Sequence, residues 1–267
     1  DNFHRMNRSA RRICMPEIDV DFVWEALKIL LNIEKDWVPS SEGTSLYIRP
    51  FMIATDPFLG VRPSNTYKFF IILCPVGSYY PEGINPVKIY VEDKYSRVAK
   101  GGTGEAKVAG NYAASLLSAE KAKAKGYSQV LWLDAADHTF VEEVGAMNMF
   151  FKIDGKIVTA PLDGSILPGI TRDSVIKLAK HMGYTVEERR ISIEEVFEAY
   201  EKGILEEMFG TGTAAVVSPV GVLGWKDKII DLGLDRIGEF TKLMYDTLTG
   251  IQYGTHKDIF GWVKKID

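Results

Sequence analysis

The sequence predicts an α+β fold in two domains, and three observations carry that expectation. Helical and strand periodicities are mixed along the chain without strict βαβ alternation, which disfavours a doubly wound sheet. The chain has 267 residues, more than the roughly 100–150 that one domain favours. A Gly- and Pro-rich stretch over 75–86 separates two β runs, so the boundary is placed after residue 82, giving domains 1–82 and 83–267. Two lobes also provide a cleft.

Taken in order, Phe3, Met6, Ala10 and Ile13 recur at helical spacing, and the interleaved His4, Arg5, Arg8, Arg11 and Arg12 read as the solvated face of that first helix. Over 19–34, Val20, Val23, Leu27, Leu30 and Leu31 mark a second helix with acids at its entrance. Residues 45–54 alternate as a strand, with Leu46, Ile48 and Met52 on one face and Tyr47, Arg49 and Phe51 on the other. Pro50 marks that strand as an edge or a bulge. Strands follow over 67–74 and 87–91.

A Gly-rich loop over 101–107 leads to a helix over 110–125 closed by Gly126, then a strand over 129–133. Asp154 and Gly155 turn a hairpin between 147–153 and 156–159. Residues 167–171 introduce a helix ending near Gly183. Ser192 and Glu195 form a capping box for another that stops at Gly203, and a last helix runs over 235–249.

Composition narrows the function. With 46% hydrophobic and 25% charged residues the chain is an ordinary globular one, and 32 basic against 36 acidic side chains give a net charge of −4, which argues against a nucleic-acid binder. No apolar run approaches the roughly 20 residues of a membrane helix, so no membrane partner is expected. Cys14 and Cys74 cannot build a disulfide framework, and the four histidines lack zinc-ligand spacing; a cytoplasmic, metal-free protein is the expectation. The chain starts at Asp1 directly in helical sequence and reads as a piece lacking its front.

Four segments are too small and polar for packing alone to explain. In the loop from Gly101 the neighbours of Lys107 are Ala106 and Val108, which breaks the P-loop pattern of Gly before and Ser or Thr after the lysine. What remains is a lysine among residues with almost no side chain. An amine in such a site can attack a carbonyl and form a Schiff base, the alternative being a surface lysine in a loop. Around Leu167, Gly169, Ile170 and Thr171 a helix start offers N–H groups to an anion, with Thr171 as its N-cap or as a plain cap only. Gly210, Thr211, Gly212, Thr213 and Ala214 form a turn that can hold a phosphate or carboxylate, or simply turn. Glu142 and Glu143 precede a β run; one carboxylate can pair with a pyridine nitrogen, and one of the two is expected to be an exposed loop acid.

In this order the segments resemble the branched-chain amino acid aminotransferases, fold type IV enzymes that use pyridoxal 5'-phosphate. The similarity runs through blocks over 3–12, 43–50, 73–79, 107–112, 143–148, 167–172, 210–214 and 250–254. It implies the two-domain fold type IV architecture, with the first strands of the small domain missing from this chain and the larger domain binding the cofactor. It also implies that Lys107 is the Schiff-base lysine, that Tyr112 bonds the cofactor's phenolic oxygen and that Glu143 meets its ring nitrogen. Arg5, the backbone at Ile170 and Thr171, and Thr213 would hold the phosphate, with Leu167 packed on the ring. Tyr47 and Arg49 would recognise carboxylates, Thr213 and Ala214 the α-carboxylate, and Leu59 and Val61 a loop that a neighbouring subunit lends to the pocket of a homodimer.

The implied reaction moves the amino group of leucine, isoleucine or valine to 2-oxoglutarate, giving branched 2-oxo acids and glutamate reversibly. The runners-up are a D-amino acid aminotransferase, an aminodeoxychorismate lyase, and a phosphate- or nucleotide-binding module. Two residue-level departures stand out: Ala146 where many relatives carry Thr, and Ala215, Val216, Val217 and Ser218 where some carry a CxxC pair.

Overall fold

The computed structural model describes residues 1–41, 43–77 and 84–266. It forms two compact units, Asp1–Gly83 with Gly261–Asp267, and Ile84–Phe260. The boundary expected after residue 82 and the end of the block over 73–79 lie outside the described residues.

In the first unit α1 (Asn2–Arg12) and α2 (Val20–Ile33) precede an antiparallel ribbon of β1 (Ser45–Ala54) and β2 (Tyr67–Val76). Of the expected apolar stripe Ala10 alone is buried in α1, beside Arg5, Asn7 and Ser9, while Ile13 is 39% exposed. Asn7 accounts for part of this. Its amide donates to the Ile18 carbonyl and accepts from the Ile18 N–H, both at 2.9 Å, a paired contact that fixes the chain's return and satisfies the buried group. Asp19 caps α2 by accepting from the N–H groups of Asp21 and Phe22. Pro50 stands opposite Ile71 in a two-stranded ribbon, the edge setting in which a strand proline is tolerated.

The second unit carries β3 (Val87–Glu92), α3 (Ala109–Ala113), α4 (Leu116–Ala124), β4 (Gln129–Leu133), β5 (Val141–Val144), β6 (Met147–Ile153), β7 (Lys156–Thr159), α5 (Ile170–His181), β8 (Val186–Glu188), α6 (Ile193–Glu201), β9 (Leu205–Gly212), β10 (Val216–Trp225), β11 (Lys228–Asp231) and α7 (Glu239–Gln252). The sheet order is β11-β10-β3-β4-β5-β6-β7-β8, and β9 bridges β10 and β6, so β10, β3, β4, β5, β6 and β9 pair round in a closed ring. Parallel pairs (β10 with β3, β3 with β4) sit beside antiparallel ones, the mixture expected of an α+β fold.

Strand alternation builds the core. Leu131 and Leu133 of β4 join Ile89, Val91, Val144 and Phe151 in the main cluster, whereas Val130 and Trp132 point the other way onto Ala122 of α4. Phe150 of β6 stacks on Phe209 of β9 at 5.1 Å, and Phe209 continues to Phe240 of α7 at 5.8 Å.

Three elements differ from expectation, each for a local reason. The helix expected over 110–125 is two: the Ser115 hydroxyl donates to the Tyr112 carbonyl at 2.7 Å and the Ser115 N–H does so at 3.1 Å, which tightens the turn and separates α3 from α4. The last helix starts at Glu239 rather than 235 because its cap is remote. Glu207 of β9 accepts from the N–H groups of Phe240 and Thr241 and from the Thr241 hydroxyl, and a Cβ on Gly238 would lie 2.2 Å from that carboxylate. Glu142 and Glu143 belong to a strand, β5, rather than to a loop before one.

Candidate active site

Lys107 follows a turn held shut by Asn111. The Asn111 amide donates to the carbonyls of Thr103 and Ala106 at 2.8 and 2.9 Å and accepts from the Thr103 hydroxyl at 2.7 Å. Those bonds fix the backbone entering Lys107, and the short helix α3 then brings Tyr112 back beside it. The Lys107 Nζ donates to the Tyr112 hydroxyl at 2.7 Å. Both side chains are solvent-accessible, so the amine stands on an open edge.

Tyr112, Glu143 and Leu167 line one cleft together with Ala106, Ala146 and Arg97. Gly145, at φ +57°, opens the two-residue turn between β5 and β6. That φ favours glycine, and a Cβ there would also displace the Gln129 side-chain oxygen 2.3 Å away. The turn sets Glu143 directly opposite Asn148, and β9 then sets Asn148 opposite Thr211. Directly paired residues share a sheet face, so Glu143, Asn148 and Thr211 form one row.

Both acids are buried, Glu142 at 7% and Glu143 at 3% exposure, which corrects the expectation of one exposed loop acid. Glu143 accepts from the Leu167 N–H at 2.9 Å and the Asn148 amide at 3.4 Å, and its second oxygen lies 3.2 Å from Arg97 Nη2. Burial outweighs these favourable contacts and lifts the carboxyl from 4.5 to about 7. Burial also raises Glu142, against a hydrogen bond from the Ser165 hydroxyl.

Thr171 is not the N-cap. Gly169 caps α5, Ile170 is its first residue and Thr171 its second. Asn148 explains the early start: its amide donates to the Leu167 carbonyl at 3.0 Å, and a Cβ on Gly169 would lie 2.0 Å from its oxygen. The first turn of α5, with Ile170 and Thr171, leaves N–H groups without intrahelical acceptors, a fit for an anion. Thr213 and Ala214 are exposed in the turn between β9 and β10, which ends at Val216 with φ +57°.

The remaining candidates lie in the first unit. Arg49 Nη2 is 3.4 Å from the Tyr47 hydroxyl, and Arg5 is buried and donates to Asn2 at 3.2 Å. Leu59 and Val61 sit in the segment between β1 and β2, at 97% and 110% exposure. Sequence reasoning missed Arg97 and Ser165, read Thr211 as part of a turn where the structure has it on β9, and gave Asn148 no role. Asn148 alone had a local signal, since a two-residue turn at Gly145 and Ala146 forces it to face Glu143.

The donor set fits pyridoxal phosphate. A buried acid opens on the cleft where a cationic ring nitrogen needs a counter-charge, and the buried Thr211 hydroxyl on the same sheet face has no hydrogen-bond partner among the described residues. Amides at the start of α5 suit a phosphate, and an accessible amine stands beside a phenol.

The amino-transferase class IV family matches residues 1–222. Branched-chain-amino-acid aminotransferase 2 of Bacillus subtilis is 59% identical over 265 residues, covering 99% of this chain and 73% of that protein. Among solved structures, the Escherichia coli branched-chain amino acid aminotransferase superposes with a TM-score of 0.82 at 30% identity, over 99% of this chain and 83% of that one. The T.th. branched-chain amino acid aminotransferase complexed with N-(5'-phosphopyridoxyl)-L-glutamate superposes at 0.80 with 27% identity, over 99% and 81%. A tyrosine and a buried glutamate in one cleft, with a lysine hydrogen-bonded to that tyrosine, thus accompany a structural likeness to these enzymes and a family match across most of the sequence: the chain belongs to the class IV aminotransferases, in their branched-chain-amino-acid family.

Proposed function

We propose that the protein is a pyridoxal-phosphate-dependent transaminase exchanging the amino group of leucine, isoleucine or valine with 2-oxoglutarate. The observation that carries this reading is Glu143, a carboxylate buried in the wall of the same cleft that Tyr112, the hydrogen-bond partner of Lys107, lines. The T.th. relative, held with a phosphopyridoxyl-glutamate, supports the cofactor and the glutamate side of the exchange.

When bound, the cofactor supplies an aldehyde for amines and a protonated pyridine ring that accepts the electrons released at the substrate α-carbon. Glu143 holds the proton of the ring nitrogen in place. The Lys107 amine would hold the cofactor's aldehyde and, when free, would accept the proton of the substrate α-carbon. Tyr112 orients that amine through its 2.7 Å hydrogen bond and bonds the phenolic oxygen. Leu167 packs on the ring, and Ile170, Thr171 and Thr213 bind phosphate through N–H and hydroxyl groups.

The backbone donors of Thr213 and Ala214 bind the α-carboxylate. The family resemblance adds Arg5 for the phosphate, Tyr47 and Arg49 for the distal carboxylate of glutamate, and Leu59 and Val61 as a loop lent to a second subunit. The same reading makes the protein a cytoplasmic homodimer, with its domain boundary after residue 82.

Purified protein should be yellow and should convert L-leucine with 2-oxoglutarate to glutamate. Turnover of D-alanine in place of L-leucine would transfer the reading to a D-amino acid aminotransferase, and a colourless protein that takes up no pyridoxal phosphate would end it.

A further inference from the structure

Glu142 has no part in the reaction described above, yet it is buried, and burying a carboxylate is expensive unless it is paired. Its neighbours explain where it acts. Arg97, itself 8% exposed, lies between the β3 end and the loop and reaches two groups through Nη2: the Glu143 carboxylate at 3.2 Å and the Ser165 carbonyl at 2.8 Å. Ser165, 2% exposed, donates its hydroxyl to Glu142.

Two polar atoms of this group have no partner among the described residues: Arg97 Nε and Glu142 Oε2, one a donor and the other an acceptor. A Cβ on Gly104 would lie 2.0 Å from the Ser165 carbonyl, so the loop before Lys107 is packed directly on the same relay.

We infer that Arg97 is a single counter-ion shared by two buried carboxylates, and that Glu142 and Arg97 are positioning residues that govern the charge of Glu143. When Glu142 is neutral, Arg97 is committed to Glu143 and keeps it ionised for a cationic ring nitrogen. When Glu142 is ionised, it draws on the same guanidinium and repels the neighbouring acid. The charged groups facing the pair are Arg97 for both, Lys107 towards Glu143, and Asp134 and Asp163 towards Glu142, with Arg190 3.7 Å from Asp134 and Lys100 3.5 Å from Asp163. The inference rests on the reading that Glu143 meets the ring nitrogen.

The experiment measures affinity for pyridoxal 5'-phosphate from pH 5 to 9 on the full chain, together with the infrared band of neutral carboxyl groups in the cofactor-free protein. Glu142→Gln keeps the hydrogen bond from Ser165 but removes the competing charge. It should lower the pH at which Glu143 ionises by about one unit, a tenfold shift in its ionisation constant. Arg97→Met should move that midpoint up and weaken cofactor binding at neutral pH. Arg97→Lys, which retains charge, should recover most of the loss and covers the case in which Arg97→Met fails to fold.

An unmoved midpoint in Glu142→Gln, with cofactor bound normally, overturns the inference and leaves the transaminase reading intact. Absence of cofactor binding in the wild type overturns that reading instead, while the infrared band still reports the two acids.

Discussion

The amine of Lys107 lies 2.7 Å from the hydroxyl of Tyr112, and five residues of sequence suffice to bring them together. The short helix α3 closes that distance, and Asn111, between them in sequence, ties the preceding turn to it through three side-chain hydrogen bonds. The pair is therefore set by one small local unit, which makes its chemistry separable from the rest of the fold.

Replacing Lys107 by Ala removes the tether without touching the core, since the side chain is exposed. The cofactor-free variant should melt at the temperature of the cofactor-free wild type, lose the visible absorbance of the covalently held cofactor when loaded, and lose turnover by at least about a thousandfold, the combined scale of proton transfer and covalent catalysis. Borohydride trapping and peptide mapping check the site; an adduct on another lysine refutes the assignment.

Glu143 couples stability to pH. Its carboxyl ionises near 4.5 in the open chain and near 7 in the fold, so between those values the folded state binds more protons than the unfolded one. Stability of the cofactor-free protein should fall as pH rises from about 4.5 to 7 and level off above. Glu143→Gln should flatten more than half of that slope, as read from urea midpoints across the range.

Gly104 touches the Ser165 carbonyl so closely that a methyl group must displace backbone. Gly104→Ala should cost about 1–3 kcal/mol by overpacking and should also weaken cofactor binding, because Arg97 is anchored on that carbonyl. Gly110→Ala, where a Cβ meets nothing within 4 Å, serves as the control and should be close to neutral by differential scanning calorimetry.

Arg49→Lys should raise KM for 2-oxoglutarate about tenfold or more and leave KM for leucine within about twofold, because an ammonium lacks the planar fork that matches a carboxylate. Equal losses on both substrates would place Arg49 outside distal-carboxylate recognition.

Much of the fold was legible because it is written in local signals. The hairpin turning at Asp154 and Gly155 has its expected strands, residues 147–153 and 156–159, and Asp19 and Ser192 both cap the helices they precede. Glu195 shows the limit of such signals, since its carboxylate pairs with Arg189 rather than returning to the cap. Long-range partners were not legible. Glu207 caps α7 from 33 residues away, and Arg97 meets Ser165 across 68. Strands β9 and β10 went unread because Gly210, Gly212, Pro219, Gly221 and Gly224 interrupt their apolar pattern. In the site, residue chemistry and order pointed to Lys107, Tyr112 and Glu143. The burial of both acids depends on the sheet being formed.

Glu142 and Glu143 are adjacent on a strand whose side chains leave alternate faces, and the turn at Gly145 and Ala146 holds only two residues. Inserting or deleting one residue there would slip the pairing by a single step and exchange the two acids, sending Glu142 to the cleft and Glu143 behind the sheet. The length of that hairpin tip is therefore as much a part of the enzyme's chemistry as the identity of any acid.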